Sequence, residues 1–312
     1  MKVVEINNLT KDYEVGFWRK RNVRALDGLS LSVDANQIFG FLGANGAGKT
    51  TTLKLLMRLI FPTTGSARIL GHEISVVKMH RRIGYLPENP YFYDYLTARE
   101  LLEYCGQLFG LTAVDRKKRA ASLLSRVKLD EKRWDTQLRK FSKGMLQRVG
   151  LAQSLINDPE IVFLDEPMSG LDPVGRREVR DLIASLRDEG KTVFMCSHIL
   201  SDIEVLCDQV AILKRGKLSQ VGHLDELRQR NHDPNRMEVL ASGTDIETLK
   251  KHLPNGEMTP TPRGLRIEIG GENEIEGVLS ALRLAGGKLV AVQPIKQSLE
   301  ELFLDEADAV KQ

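Results

Sequence analysis

Apolar and polar positions change period several times along this 312-residue chain, and each change marks an element. The run Ile38-Phe39-Gly40-Phe41-Leu42 is short and continuously apolar, which reads as a strand buried on both faces; Thr51-Thr52-Leu53-Lys54-Leu55-Leu56-Met57 just after it reads as an amphipathic helix. Before it, residues 3–6 and 25–33 read as strands, the second alternating apolar and polar positions as an antiparallel strand with one solvated face does. Phe61-Pro62-Thr63-Thr64-Gly65 then stops the helix, because proline lacks an N–H and glycine permits the turn. Two more strands are expected at residues 66–71 and 82–86. A helical stretch follows: Thr97-x-x-Glu100 is a capping box opening a helix over residues 98–109 with apolar face Leu101, Leu102, Cys105, Leu108 and Phe109, and Thr112-x-x-Asp115 opens the next. The basic run Arg116-Lys117-Lys118-Arg119 on that helix reads as a solvated face.

Ile161-Val162-Phe163-Leu164 is again continuously apolar and ends in Asp165-Glu166, the pattern of a central parallel strand delivering carboxylates to the C-terminal edge of a sheet. Residues 173–189 read as a helix stopped by Gly190, and residues 192–196 as the next strand, with Ser197-His198 at its end. This alternation predicts a doubly wound α/β domain. After the polar, proline-containing stretch 231–236 the period changes again, to strand 237–241, helix 245–253, two short strands ending at 269, helix 273–285 and strand 289–292. That order is a small βαββαβ-like α+β domain, followed by a last helix capped by Ser298-x-x-Glu301. The expected division is therefore a large domain over 1–230, a linker over 231–236, and a C-terminal domain over 237–312 with no catalytic constellation, read as regulatory or dimer-supporting.

Composition narrows the classes. At 42% hydrophobic and 28% charged, the chain can bury the core of one large and one small domain. No apolar stretch approaches the length that crosses a bilayer, and Met1-Lys2-Val3-Val4-Glu5-Ile6 lacks a signal-peptide h-region, so any work at a membrane is expected through a partner. Cys105, Cys196 and Cys207 form no C-x-x-C pair and read as reduced thiols without a metal site. A net charge of +3 is too mild to argue for nucleic acid, and none is expected as a partner.

The candidate chemistry starts at Gly43-Ala44-Asn45-Gly46-Ala47-Gly48-Lys49-Thr50, which fits G-x-x-x-x-G-K-[ST] at every fixed position and sits between a strand and the helix that Thr51 continues. Such a loop turns its backbone N–H groups inward at a helix N-terminus, which suits phosphate; Lys49 would reach the β- and γ-phosphates and the Thr50 hydroxyl would ligate Mg²⁺. Tyr13 has two readings, an aromatic face for adenine or packing beneath the hairpin. The basic, aromatic tip from Phe17 to Arg24 reads as a solvated loop.

Phe141-Ser142-Lys143-Gly144-Met145 with Gln147-Arg148 would by itself be an ordinary helix start. Together with the phosphate loop and Asp165-Glu166, however, residues 1–222 resemble the ATP-binding cassette ATPases, whose signature loop is conventionally LSGGQ. The resemblance implies a P-loop NTPase cassette with an antiparallel β-subdomain and a helical subdomain over about 88–158. It implies that Ser142 and Gly144 face the γ-phosphate held by a partner, that Asp165 holds Mg²⁺, and that Glu166 orients the attacking water. His198 matches the switch histidine, Ser169-Gly170-Leu171-Asp172 the loop that crosses the dimer interface, and Tyr13 the adenine-stacking aromatic. Glu88 stands where the family has Gln contacting Mg²⁺; a carboxylate still ligates a hard cation but adds negative charge beside the phosphates. With Ser298-Leu299-Glu300-Glu301-Leu302-Phe303, that departure resembles the ATPase subunits of type-2 exporters.

The implied cofactors are ATP and Mg²⁺. The implied partners are a second copy or paired cassette subunit, closing with it over two ATP, and a separate integral membrane permease that holds the chain on the cytoplasmic face of the cell membrane. Pro90-Tyr91-Phe92-Tyr93-Asp94-Tyr95 and the helix over 98–109 are the expected permease-docking surface, because so many aromatics cannot share one small core. The competing class is a soluble cassette ATPase acting on nucleic acid or the ribosome. Against it stand the short span from Lys49 to Ser142, the single cassette and the lack of a zinc-type cysteine cluster. A nucleotide sensor that does not hydrolyse is disfavoured by the presence of both Lys49 and Glu166.

Overall fold

A computed structural model describes residues 1–16, 20–230, 237–254, 256–262 and 264–294. The loop residues Phe17, Trp18 and Arg19, the linker 231–236, and the closing helix with the motif from Ser298 to Phe303 lie outside the described residues. The chain divides into two units, Met1–Leu224 and a second that begins at Asp225. The break thus falls before the expected linker. Leu224 and Leu227 stay buried, so apolar positions continue past the break, whereas the composition turns polar only at 231.

In the first unit, β1 (Lys2–Val15) and β2 (Arg21–Asp34) form a long antiparallel hairpin. Both outrun the spans read from alternation, because beyond Leu9 they are joined by backbone pairing and by the Arg24–Asp12 ion pair at 2.9 Å, with little burial. Then come β3 (Ile38–Leu42), α1 (Lys49–Leu56), β4 (Thr64–Ile69) and β5 (His72–Glu73). Helix α1 starts at Lys49, ahead of the apolar period, since its first turn belongs to the loop motif. Next are β6 (Ile83–Leu86), the helices α2 (Ala98–Leu108), α3 (Ala113–Arg126) and α4 (Lys143–Ser154), and then β7 (Ile161–Asp165), α5 (Pro173–Asp188), β8 (Thr192–Ser197), α6 (Leu200–Leu206), β9 (Gln209–Lys214) and β10 (Lys217–His223). Thr97 closes its capping box at α2, and Thr112 caps α3.

Two sheets result: an antiparallel one in the order β2-β1-β4-β5, and a six-stranded one in the order β10-β9-β3-β8-β7-β6. In the second, β9, β3, β8, β7 and β6 run parallel and β10 closes the edge antiparallel. Strands β3, β7 and β8 are buried along their whole length, as a parallel sheet covered on both faces requires. Phe194 packs against Phe39, Phe41 and Phe163 with ring centroids 5.2–5.4 Å apart. Each tilted pair adds on the order of 1 kcal/mol beyond area burial and fixes the three strands against one another. β6 approaches α4 so closely that a Cβ on Gly84 would lie 2.1 Å from the Ser154 carbonyl.

The register positions the site. Leu42 of β3 lies opposite Ser197 of β8, and Asp165 of β7 opposite Cys196. Gly43, Glu166 and His198 therefore leave the sheet side by side at its C-terminal edge.

In the second unit, helix α7 (Leu224–Arg230), which begins at the boundary, precedes β11 (Met237–Ser242), α8 (Ile246–Lys250), β12 (Glu257–Thr261), β13 (Gly264–Ile269), α9 (Ile275–Leu284) and β14 (Lys288–Pro294). From β11 onward this is the expected βαββαβ order, with an antiparallel sheet β12-β13-β11-β14. Residue 273, expected in the second helix, lies in a short 3-10 turn, Glu272–Glu274.

Candidate active site

A cavity of about 260 Å³ opens at that edge, lined by Ala25, Asn45, Gly46, Gly48, Lys49, Thr50, Thr51, Glu88 and Glu166. Gly48 sits at φ 112°, and a Cβ there would come within 2.7 Å of the Ala25 carbonyl, so only glycine fits. Lys49 is buried; its ammonium donates to the Gly43 carbonyl at 2.6 Å and the Ala44 carbonyl at 3.4 Å, and stands 3.7 Å from Glu166 Oε1. Ala47 is buried and shapes the turn, its N–H donating to the Ala44 carbonyl.

Glu166 is the centre of the cluster. Its Oε1 is 2.9 Å from His198 Nδ1, and its Oε2 accepts from the Ser197 hydroxyl at 3.4 Å. Its backbone has φ 50°, the left-handed region, which costs on the order of 1–3 kcal/mol for a residue with a side chain and is typical of functional sites. Beside it, both oxygens of Asp165 are fully buried without a hydrogen-bond partner. Burial above all, then the charges of Glu166 and Glu88, pushes the Asp165 carboxyl up to about 6; the Thr50 hydroxyl, close but outside hydrogen-bond geometry, and Lys49 pull the other way.

The orphaned Asp165 carboxylate, which does not itself line the cavity, makes with the Thr50 hydroxyl and the Glu88 carboxylate that do line it an oxygen donor set suited to a hard divalent cation. Among the described residues no cluster of three or more metal-ligating side chains exists, so phosphate oxygens would complete such a site.

The remaining candidates lie apart from this cavity. Ser142 is exposed at the N-terminus of α4, where its hydroxyl accepts from Met145 N at 3.3 Å and keeps its own proton free to donate. Asp172 caps α5, accepting from Gly175 N at 2.8 Å. Gly144 abuts the loop before it, with Leu171 3.1 Å from where a Cβ would stand. Ser142 and Asp172 are thus exposed and Gly144 half-buried, and none of the three lines the cavity. Tyr13 does not line the cavity; it pairs with Val23 across the hairpin, with the Lys11 ammonium 5.1 Å from its ring centre. Sequence reasoning gave no role to Ala25, which no motif marks, or to Ser197 and Gln147. Gln147 stands in the sequence only as a companion of the signature loop, an amide at a helix position where it is almost fully buried.

Residues 26–169 match the family described as ABC transporter. Over 303 residues, 97% of this chain and 84% of the relative, the sequence is 44% identical to an ABC transporter ATP-binding protein of Synechocystis. The chain belongs to the ABC transporter ATP-binding proteins. Another member, the bacitracin transport ATP-binding protein BcrA of Bacillus licheniformis, is 35% identical over 97% of this chain and 96% of its own. Among solved structures, a dimeric ATP-binding cassette in a post-hydrolysis state with ADP and Pi is 26% identical, with a TM-score of 0.66, over 71% of this chain and 98% of that one. The ABC protein described here is accordingly an ATP-binding ATPase subunit with the cassette fold.

The raised Asp165 group gives a stability signature. Between about pH 4 and 6 the folded chain keeps a proton that the unfolded chain has released, so stability falls as pH rises through that window, by up to ~3 kcal/mol. Asp165→Asn removes that loss. In thermal melts without nucleotide, the variant cassette should melt ~5 °C or more above wild type at pH 7.5 and match it near pH 4; equal melting at both pH values would contradict the burial argument.

Proposed function

We propose that this ABC ATPase closes with a second copy, or a paired cassette subunit, over two ATP and uses their hydrolysis to drive a separate membrane permease in the direction of export. The observation that carries the proposal is the convergence of Lys49, Glu166 and His198 within 3.7 and 2.9 Å at the phosphate loop. In this reading the N–H groups of the loop, from Ala44 to Thr51, receive the phosphates, Lys49 holds the β- and γ-oxygens, and Tyr13 stacks on the adenine. Asp165, Thr50 and Glu88 would hold Mg²⁺, which when bound neutralises charge on the phosphates. Glu166 orients the attacking water and receives its proton, and the His198 imidazole steadies the carboxylate and reaches the γ-phosphate.

Ser142, Gly144 and Asp172 do not line their own chain's cavity, which supports a composite site completed by a partner cassette. Among the described residues no helix is long and apolar enough to cross a membrane, so transport needs a separate permease. That permease would hold the subunit at the inner face of the cell membrane. The linearmycin resistance ATP-binding protein LnrL of Bacillus subtilis, 31% identical over 89% of this chain, supports export, since resistance is served by removal.

Permease docking is assigned to the expected aromatic surface. Tyr91 is 92% exposed, and Tyr93 and Tyr95, also exposed, stack at 5.8 Å. Phe92 is half-buried, lying 3.5 Å from where a Gly150 Cβ would stand, so it anchors the segment while the tyrosines face outward. A neighbouring groove of about 310 Å³ is lined by Leu59, Tyr85, Leu108 and Phe109 among others.

Lys49→Ala should abolish ATP binding, and Glu166→Gln should bind ATP normally while losing at least ~100-fold in turnover. Near-wild-type steady-state turnover by Glu166→Gln would remove Glu166 from its role. A cysteine placed at Tyr93 should crosslink to cytoplasmic loops of the permease in native membranes; crosslinking obtained only from cysteines in the second unit would contradict the docking assignment.

A further inference from the structure

Glu166 depends on its backbone for its aim, and that backbone is gripped from helix α4. Gln147, almost fully buried, donates from Nε2 to the Glu166 carbonyl at 3.3 Å and to the Pro167 carbonyl at 3.1 Å. Two carbonyls on one side fix which end of the amide faces them. The Glu166 carbonyl also accepts from Ser169 N at 3.0 Å. One turn earlier on the same helix, Lys143 donates from Nζ to the Ser169 hydroxyl at 3.1 Å, and its stem crosses Gly170, where a Cβ would stand 2.6 Å from Lys143 Cδ. Helix α4 therefore clasps both ends of the turn 166–170. Its own start carries Ser142, and Arg148 ties its inner face to α5 through Glu178 at 2.7 Å.

A left-handed backbone at a residue with a side chain persists only where its surroundings hold it. On one side Glu166 N donates to the Cys196 carbonyl at 3.0 Å, which belongs to the sheet; on the other, Gln147 is the only side-chain donor to the Glu166 and Pro167 carbonyls among the described residues. We propose that Gln147 is a positioning residue for hydrolysis: its amide holds the Glu166–Pro167 turn, aims the Glu166 carboxylate, and couples that aim to the position of the signature helix. The inference rests on the assignment of Glu166 above. It follows that movement of α4, when Ser142 and Gly144 meet nucleotide held by a partner, is felt at the base through Gln147 and Lys143 without passing through the Lys49 loop.

The test uses the full chain with Gln147→Met, which keeps the volume and removes the donor, and Gln147→Glu, which is close in shape but sets a carboxylate against two carbonyls. A packing role alone would lower the melting temperature and weaken nucleotide binding and turnover together. The positioning role splits them: kcat falls ~10- to 100-fold while the Kd for a fluorescent ATP analogue changes less than ~3-fold, since a displacement of about 1 Å at a reacting group costs on that order. In single turnovers, Gln147→Met in the Glu166→Gln background should add less than a ~2-fold further loss, because its effect runs through the missing carboxylate. Should either variant fail to fold, the other carries the same split. Wild-type kcat in the Gln147 variants beside an inactive Glu166→Gln would overturn this inference alone, as would equal losses in both backgrounds. Wild-type kcat in Glu166→Gln would overturn the base assignment and this inference with it.

Discussion

Everything at the site depends on the register of three parallel strands. Because β3, β8 and β7 are locked together by the stacked rings of Phe39, Phe41, Phe163 and Phe194, the residue after each strand emerges at one edge. A slip of one residue would reverse which face each side chain takes and scatter Gly43, Glu166 and His198. The aromatic core beneath the edge thus serves the chemistry above it. It holds the strand ends still enough for groups separated by less than 4 Å to keep their geometry.

That edge concentrates charge where water is scarce. Lys49 answers the Glu166 carboxylate, whereas Asp165 is left with two unpaired buried oxygens, at a cost that pushes its carboxyl up to about 6. Buried polar groups are normally satisfied, and the exceptions point to a missing partner of the complementary kind. A buried carboxylate short of a cation, beside a lysine held at the phosphate loop by Glu166 and two carbonyls, is the arrangement that a nucleotide with its divalent ion would complete. The left-handed backbone of Glu166 belongs to the same economy of strain, held by sheet on one side and helix α4 on the other.

Much of this was legible from residue order. Continuous apolar runs of about five residues ending in Gly43 or in Asp165-Glu166 fit central strands of a parallel sheet covered on both faces, and they are too short to favour a helix. The loop motif named most of the residues that line the cavity. What the sequence hid are features with no period of their own. Nothing in the string shows that Glu166 takes a positive φ, that Gln147 and Lys143 reach across to its turn, or that Tyr13 stands outside the cavity on a hairpin extended by backbone pairing. The units divide after Leu224, ahead of the polar residues 231–236, and buried Leu227 lies between that division and the polar stretch.

The central claim is that one chain carries only half of each working site. Ser142, Gly144 and Asp172 do not line the cavity of their own chain, and two copies are proposed to close over ATP with each supplying what the other lacks. Light scattering on the Glu166→Gln chain, with and without ATP and Mg²⁺, measures this directly. A mass that rises on adding ATP and Mg²⁺ from 35.0 kDa to twice that value is the predicted result. A mass that stays at 35.0 kDa with ATP bound would contradict it.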